Sequence, residues 1–511
     1  MQHFIKKQSI DLTITERKDA FRLQQLVSEH YGKEILGVLE KAFDEFSGND
    51  EILRIDTLEI DLGCIKEIDI LKGNWADILY ARVSEKLRLL KQVSLPGITT
   101  TLQPQLVYDA EQWLYYMEHG HLPWHMMKTS KDWHTRVLQA FASDATSIER
   151  LREFIHRSKV GIERIVLQHP VEFIIALTEA LTAHNQKILA VMTSELGEVF
   201  SYLDKWKRKE RAAKEKYFSL QTWQTILVYA AKKKHLASPG KIVQYLIERI
   251  RIQGWALSLP PRFFSSKRLT AGIIQLFREA QLKEKMADDE KLITLTGKQE
   301  QEDSLAIKNE SLSASQAREK IATSKENILP VNLPDAATKR SLSVKDEAIY
   351  VQQAGLVLLH PFLSPFFRNL GLLDNNAFID ISLHQKALFL LHFLGTGKTT
   401  AAEHELVMEK LLCGYPLQMP VPGQVELTKE EFDEAGELLE NVIQHWKILK
   451  NTSADGLRES FLQRNGKLEN GKDGPVVQVE RTGIDILLAD IPWTYSMIQL
   501  PWRKDLVRVE W

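Results

Sequence analysis

The sequence GTGKTT at 395–400 has the residue types of a phosphate-binding loop. A Walker A loop needs a glycine five residues before its Gly-Lys pair, so that backbone amides wrap the phosphates, and it follows a strand. Here that position is His392, and the preceding HQKALFLLHFL reads as a helix. The spacing therefore predicts a helix C-terminus, ended by Gly395 or Gly397, with Lys398 near the negative end of the helix dipole. A second cluster, EHGHLPWH, holds His119, His121 and His125 beside Glu118. Closely spaced imidazoles can bind zinc, but Gly120 and Pro123 put these on a turn, and no neighbouring Cys or Asp completes a tetrahedral set. A helix end followed by a tight turn, with Trp124 packing as an anchor, is the simpler expectation.

Other catalytic arrangements are missing their context. Ser, His and Asp are all present, yet no GxSxG elbow surrounds a serine. In RIDTLEIDLG, Asp56 lies on the opposite parity from Glu59 and Asp61, so these carboxylates do not converge on one strand face. Cys64 and Cys413 are the two cysteines, too few for a disulfide framework or a cysteine zinc site. The residues support no catalysis, no cofactor and no metal.

Two features point instead to binding. Residues 201–270 hold sixteen Lys/Arg against four Asp/Glu, an excess of twelve positive charges hidden by a chain-wide net charge of −2. Its centre is KWKRKERAAKEKY, with Lys205, Lys207, Arg208, Lys209 and Arg211, followed by KKKH at 232–235. A basic helical surface suits an acidic partner, and an acidic protein wall is favoured because no nucleic-acid module is recognisable. Glu210 and Glu215 would pair locally with some of these charges. The second feature is aromatic. LPW occurs at 122–124 and 500–502, IPW at 491–493, and the chain closes VEW. Proline fixes the backbone while tryptophan offers a large contact surface of low entropy. Trp124, Trp493, Trp502, Val509 and Trp511 are thus expected partner contacts, and a terminal sheet edge is expected to accept a strand from another subunit.

The elements that must carry these residues follow from periodicity. Alternation predicts strands at 2–14 and 52–63, and the 3.6-residue period predicts a long helix from Thr15 to about Gly48, with Gly32 as a weak point, and another over 75–90. Residues 1–95 thus read as a strand–helix–strand–helix unit. Residues 96–282 read as helices bounded by Pro123, Pro170, Pro239, Pro260 and Pro261, with 171–184 and 241–253 the clearest. Residues 283–349 contain no aromatic until Tyr350 and are rich in Lys, Glu, Asp, Ser, Asn and Gln. That composition predicts a mobile, disordered or weakly helical linker, with a short helix allowed near 313–323. Residues 350–511 read as a helical domain with turns at Pro361, Pro365, Pro416, Pro420 and Pro422, a helix over 430–449, and strands at 476–481, 496–500 and 506–511, the last two forming a hairpin. The expected fold class is α+β and predominantly helical: strand-containing units at both ends, a helical middle and a mobile linker. With 44% hydrophobic residues the chain is globular. Its most apolar runs, 355–363 and 387–394, are shorter than the ~20 residues that a membrane helix needs. No apolar leader is evident, so a soluble, cytoplasmic protein is expected.

Several long blocks together resemble one family. HFIKKQSIDLTI (3–14), EILRIDTLEIDLG (51–63) and GHLPW (120–124) form the first part. The second is nearly continuous from Tyr350: YVQQAGLVLLHPFL, LGLLD, HELVMEKLLCGYPL, VIQHWKILKNTSADGLRESFLQRNGKL, VQVERTGIDILL and IPWTYSMIQLPWRKDLVRVEW. These are similar to the tape measure proteins of contractile injection systems, the phage-tail-like extracellular particles. They cover about half the chain and leave 130–345 outside the resemblance. Members often carry a short turn like the TGK at 396–398. The resemblance implies a non-enzymatic assembly protein that associates with the baseplate hub or spike and the inner tube proteins, occupies the tube lumen and sets the length of tube and sheath. An assembly factor or chaperone for hub or cap components, which sets no length, is the alternative. Neither implies nucleic acid or membrane insertion.

Overall fold

The computed structural model describes residues 3–14, 19–30, 34–46, 51–66, 75–92, 100–126, 128–203, 211–252, 274, 275, 278 and 348–511. These residues are predominantly helical, with small sheets towards both ends of the chain. They form two compact units: one from residues 1–114 and 123–147, the other from 115–122 and 148–511.

In the first unit the expected long helix is two helices, α1 (Ala20–His30) and α2 (Leu36–Phe46). α2 packs on α3 (Trp75–Gln92). Leu39, Ala42 and Phe43 recur at helical spacing on one element, and Trp75, Leu79, Val83 and Leu87 on the other, so two apolar stripes meet in one core. The Trp75 indole N–H donates to a Glu34 carboxylate oxygen at 3.1 Å. Residues 3–14 are not assigned to a strand, and the expected apolar face is open: Phe4, Ile10 and Leu12 are each at least 40% exposed. The strand expected over 52–63 shortens to β1 (Glu51–Ile55), which pairs antiparallel with β2 (Thr100–Pro104) in the register Glu51↔Pro104 to Ile55↔Thr100. Beyond Ile55 the core-facing parity shifts by one, and Leu58, Ile60 and Leu62 pack against the same core from a segment not assigned to a strand. α4 (Gln105–His119) begins directly after β2, and α5 (Trp133–Ser143) places Arg136 against Asp109 at 2.5 Å.

The second unit takes in the end of α4, most of α6 (Ala145–Arg157), and α7 (Lys159–Gln168), α8 (Val171–Thr182), α9 (Ile188–Leu203), α10 (Arg211–Lys233) and α11 (Pro239–Ile252). Local chemistry sets the joints. The Ser158 hydroxyl accepts the Gly161 N–H at 3.0 Å at the start of α7, and Pro170 sits at the N-cap position of α8, where its carbonyl accepts the Phe173 N–H at 3.0 Å. Pro239 opens α11, while Pro260 and Pro261 lie outside the described residues. So do the expected short helix near 313–323 and nearly all of the expected linker; its last residue, Ile349, begins a strand.

After it come α12 (His360–Asn369), α13 (Ile381–Thr396), α14 (Val407–Cys413), α15 (Lys429–His445) and the short α16 (Ala454–Leu457). Pro361 and Pro365 lie within α12 instead of marking turns, Pro361 in the first turn where its missing N–H costs little. α15 starts with a capping box: Thr428 Oγ1 accepts the Glu431 N–H at 3.3 Å and Glu431 Oε2 accepts the Thr428 N–H at 2.7 Å. The chain also forms β3 (Ile349–Val351), the small hairpin β4 (Leu373–Asp374) and β5 (Ala377–Phe378), then β6 (Gly466–Gly471), β7 (Gly474–Val479), β8 (Met497–Ile498) and β9 (Val507–Glu510). Five of these make one sheet in the order β3-β6-β7-β9-β8. β8 and β9 are the expected hairpin, and β9 runs parallel to β7. Inward Val477, Val507, Val509 and Ile498 join Phe367, Phe389, Trp446 and Phe461 in a single core.

Candidate functional site

The apparent phosphate loop is a helix terminus. α13 runs through Thr396 and ends on Gly397, whose φ of +73° is left-handed and whose N–H donates to Phe393 O at 2.8 Å. The groups around this end are carbonyls, and cationic or amide donors already fill them: Arg458 Nε donates to Leu394 O at 3.1 Å and Gln463 Nε2 to Gly395 O at 3.1 Å. A phosphate needs donors, and this end of the dipole is negative.

The histidines are likewise engaged in structure. His119 ends α4, stacks on Tyr115 at 4.1 Å and places Nδ1 2.9 Å from Tyr115 O. Gly120 follows with a φ of +80°, the tight turn expected there. His121 places Nδ1 3.0 Å from Leu122 O, and burial pulls its pKa down to about 4, so the ring is neutral. His125, in the first unit, has Nε2 3.0 Å from Gln112 Oε1. Among the described residues, no group of three His, Cys, Asp or Glu side chains is placed to hold a metal ion.

The tryptophans are anchored from within. Half-buried Trp124 lies edge-on to His125 at 5.3 Å, with the Lys6 ammonium 5.8 Å from its ring centre. Trp493 Nε1 donates to Leu358 O at 3.1 Å, Trp502 Nε1 to Leu412 O at 2.8 Å, and Trp511 Nε1 to Asp485 Oδ2 at 3.1 Å. Trp493 sits against Phe362, and Trp502 against Phe367 and Phe378. Val509 lies in β9 with its side chain buried in the core. The more open apolar side chains nearby are Ile486 and Met497, 77% and 63% exposed. Met497 belongs to β8, an edge of the five-stranded sheet. Of the basic cluster, Lys205, Lys207, Arg208 and Lys209 lie outside the described residues. Arg211 pairs with Glu215 at 2.9 Å along α10.

The densest polar constellation escaped the sequence reading. Arg164 of α7, Glu403 and Lys410 of α14 form an ion cluster whose side chains are at most 1% exposed. Arg164 Nε donates to Glu403 Oε2 at 2.9 Å, and Lys410 Nζ donates to Glu403 Oε1 at 2.5 Å. The remaining donors are used too: Arg164 reaches Met117 O and Gln418 O, and Lys410 reaches Leu417 O and Met419 O. Burial pulls the Lys410 pKa down to about 8, with the Glu403 carboxylate opposing and the Arg164 charge reinforcing that shift. Gln168 seals one side, donating to Val421 O at 2.6 Å and accepting the Glu403 N–H at 2.9 Å. Gly120 closes another. A β-carbon there would stand 2.6 Å from Glu403 Oε1, so both its φ and its neighbours demand glycine. Gly120 was the one available signal, since it lies in the GHLPW block, but nothing in that block names a carboxylate so distant in sequence.

This chemistry is structural: three charges, fully partnered, with no open face for a substrate. A family model for the contractile injection system tape measure protein matches residues 2–511, including the 130–345 stretch that the sequence resemblance left out. No curated protein and no solved structure matches the chain.

Proposed function

The chain belongs to the contractile injection system tape measure family, and from that premise we propose a non-catalytic assembly protein that sets the length of the particle's tube and sheath and bridges its hub and tube components. The match over residues 2–511 is the observation that carries this reading. Its partners would be the baseplate hub or spike and the inner tube proteins, met in the cytoplasm during assembly. The surfaces proposed for them are the aromatic region of Trp493, Trp502 and Trp511, with Trp124 in the first unit, and the basic segment of Lys205, Lys207, Arg208, Lys209 and Arg211. Because each C-terminal indole N–H is already bound internally, docking there uses ring faces and the exposed Met497 and Ile486, with Val509 in neighbouring β9 buried on the core side of the sheet. Among the described residues no helix is long and apolar enough to cross a membrane.

A second reading, an assembly factor for hub or cap components that sets no length, is favoured by the dimensions. The 23 residues of α10 span about 35 Å, and even 511 residues of unbroken helix would reach only about 770 Å. One folded copy therefore measures little, and a ruler needs an extended segment or several copies. Adding and removing residues between 283 and 347 and at several other sites, then measuring particle lengths by electron microscopy, separates the two readings. Length that scales with residue number supports the ruler. Unchanged lengths at every site with normal particle yield leave the assembly factor.

A further inference from the structure

The Arg164–Glu403–Lys410 cluster joins parts of the chain that precede and follow the long stretch between Ile252 and Ala348. The bonds that cross from one side to the other form a compact set. Arg164 reaches Glu403 and Gln418 O, Gln168 reaches Val421 O and Glu403 N–H, and Gly423 N–H donates to Leu167 O at 3.2 Å. The Tyr116 ring stands edge-on to His404 at 5.1 Å beside them.

Such an interface is poorly suited to parting. Buried ions are tolerable only while each is paired and its remaining donors and acceptors are filled. Separation would leave Arg164 without its carboxylate and strip Glu403 of one of its two cations, while Leu167 O, Gln418 O and Val421 O would lose donors. Each side thus supplies what the other lacks, and each carries its own apolar packing: α7, α8, α10 and α11 pack together on one side, and the sheet with α12–α16 on the other.

We propose that residues 115–122 with 148–252, on one side, and residues 348–511, on the other, are binding partners that stay associated when the chain between them is cut, and that the Glu403-centred ion cluster is the main determinant of that association. The intervening stretch then leaves and re-enters a single body, instead of tethering two independent ones. This inference stands whether or not the protein sets length.

The test uses the full-length protein with a protease recognition sequence placed between residues 300 and 330. After complete cleavage under native conditions, the two fragments are expected to co-elute on size exclusion at low micromolar concentration. Separation of the wild-type fragments would overturn the proposal. In cleaved Glu403→Ala, dissociation is expected to be at least tenfold faster, while Glu403→Gln, which keeps the shape and part of the hydrogen bonding, falls between. Dissociation unchanged in Glu403→Ala would remove the cluster from its assigned role. Should uncut Glu403→Ala fail to fold by circular dichroism, Gln168→Ala, which deletes two crossing bonds at the side of the cluster, provides the second arm, with faster dissociation again expected and no change overturning the role.

Discussion

His384 shows how a single buried side chain writes pH dependence into this protein. It stacks on Phe378 at 4.0 Å, and its Nε2–H donates to Cys413 O at 2.8 Å, with Tyr415 edge-on at 5.0 Å. Burial pulls its pKa from the ordinary 6.5 down to about 4, the backbone hydrogen bond opposing. Below about pH 6.5 the unfolded chain therefore takes up a proton that the native state refuses until about pH 4. The sign is a loss of stability as pH falls through that window, of the order of 3 kcal/mol for this one group. Urea unfolding between pH 7 and pH 4 should show it, and His384→Gln, whose amide can still donate to Cys413 O, should have a shallower slope. An equal slope in the variant would assign the acid sensitivity elsewhere. At this scale the sequence was legible wherever the answer is local. His392 in place of a glycine, and a Gly-Lys at the end of an apolar run, already marked 395–400 as a helix end. The acceptors of Trp493, Trp502 and Trp511 were not legible, since Leu358 O, Leu412 O and Asp485 belong to other elements. Arg164 and Glu403 lie 239 positions apart, and no periodicity relates them.

Among the elements, α15 and the β8–β9 hairpin were legible because a helical apolar period and short alternating runs are self-contained signals. The strands that were missed or overdrawn needed partners. Residues 3–14 alternate as a strand should and yet are not in a strand, whereas β6, in GKLENG, has little apolar alternation of its own and is a strand because β3 and β7 flank it. The turn from β6 into β7 is demanding. Gly474 has a φ of +132°, and a β-carbon there would stand 2.6 Å from Leu506 O. Gly474→Ala is expected to destabilise the protein by about 2 kcal/mol or more, through backbone strain and displacement of the segment leading into β9. Thermal unfolding measures it. Gly436→Ala in α15, where a β-carbon meets nothing within 4 Å, is the control and should be neutral or slightly stabilising.

For the whole molecule, composition and the long sequence blocks made the predominantly helical α+β class and the family legible. The closing of chain regions on one another through a buried ion cluster was not, because ion pairing of this kind leaves no pattern along a sequence. That closure bears on any length measurement. An extended chain gains about 3.4 Å per residue, but a segment whose ends return to one body reaches outward by at most half its contour. Residues inserted between 283 and 347 are therefore expected to lengthen particles by no more than about 1.7 Å per residue per copy. A steeper slope in electron micrographs would mean that the ends come apart during assembly. The sheet order has a consequence of another kind. β9 lies between β7 and β8, although it is made after both. On the ribosome, β6 and β7 can zip together early, but β7 must then wait with one edge bare while everything up to Val507 is translated. Parallel pairing closes a long loop and is slow. Synthesis of this protein thus includes an interval in which a valine-rich strand is open to any neighbouring chain, and crowded polysomes would be the place where it goes astray.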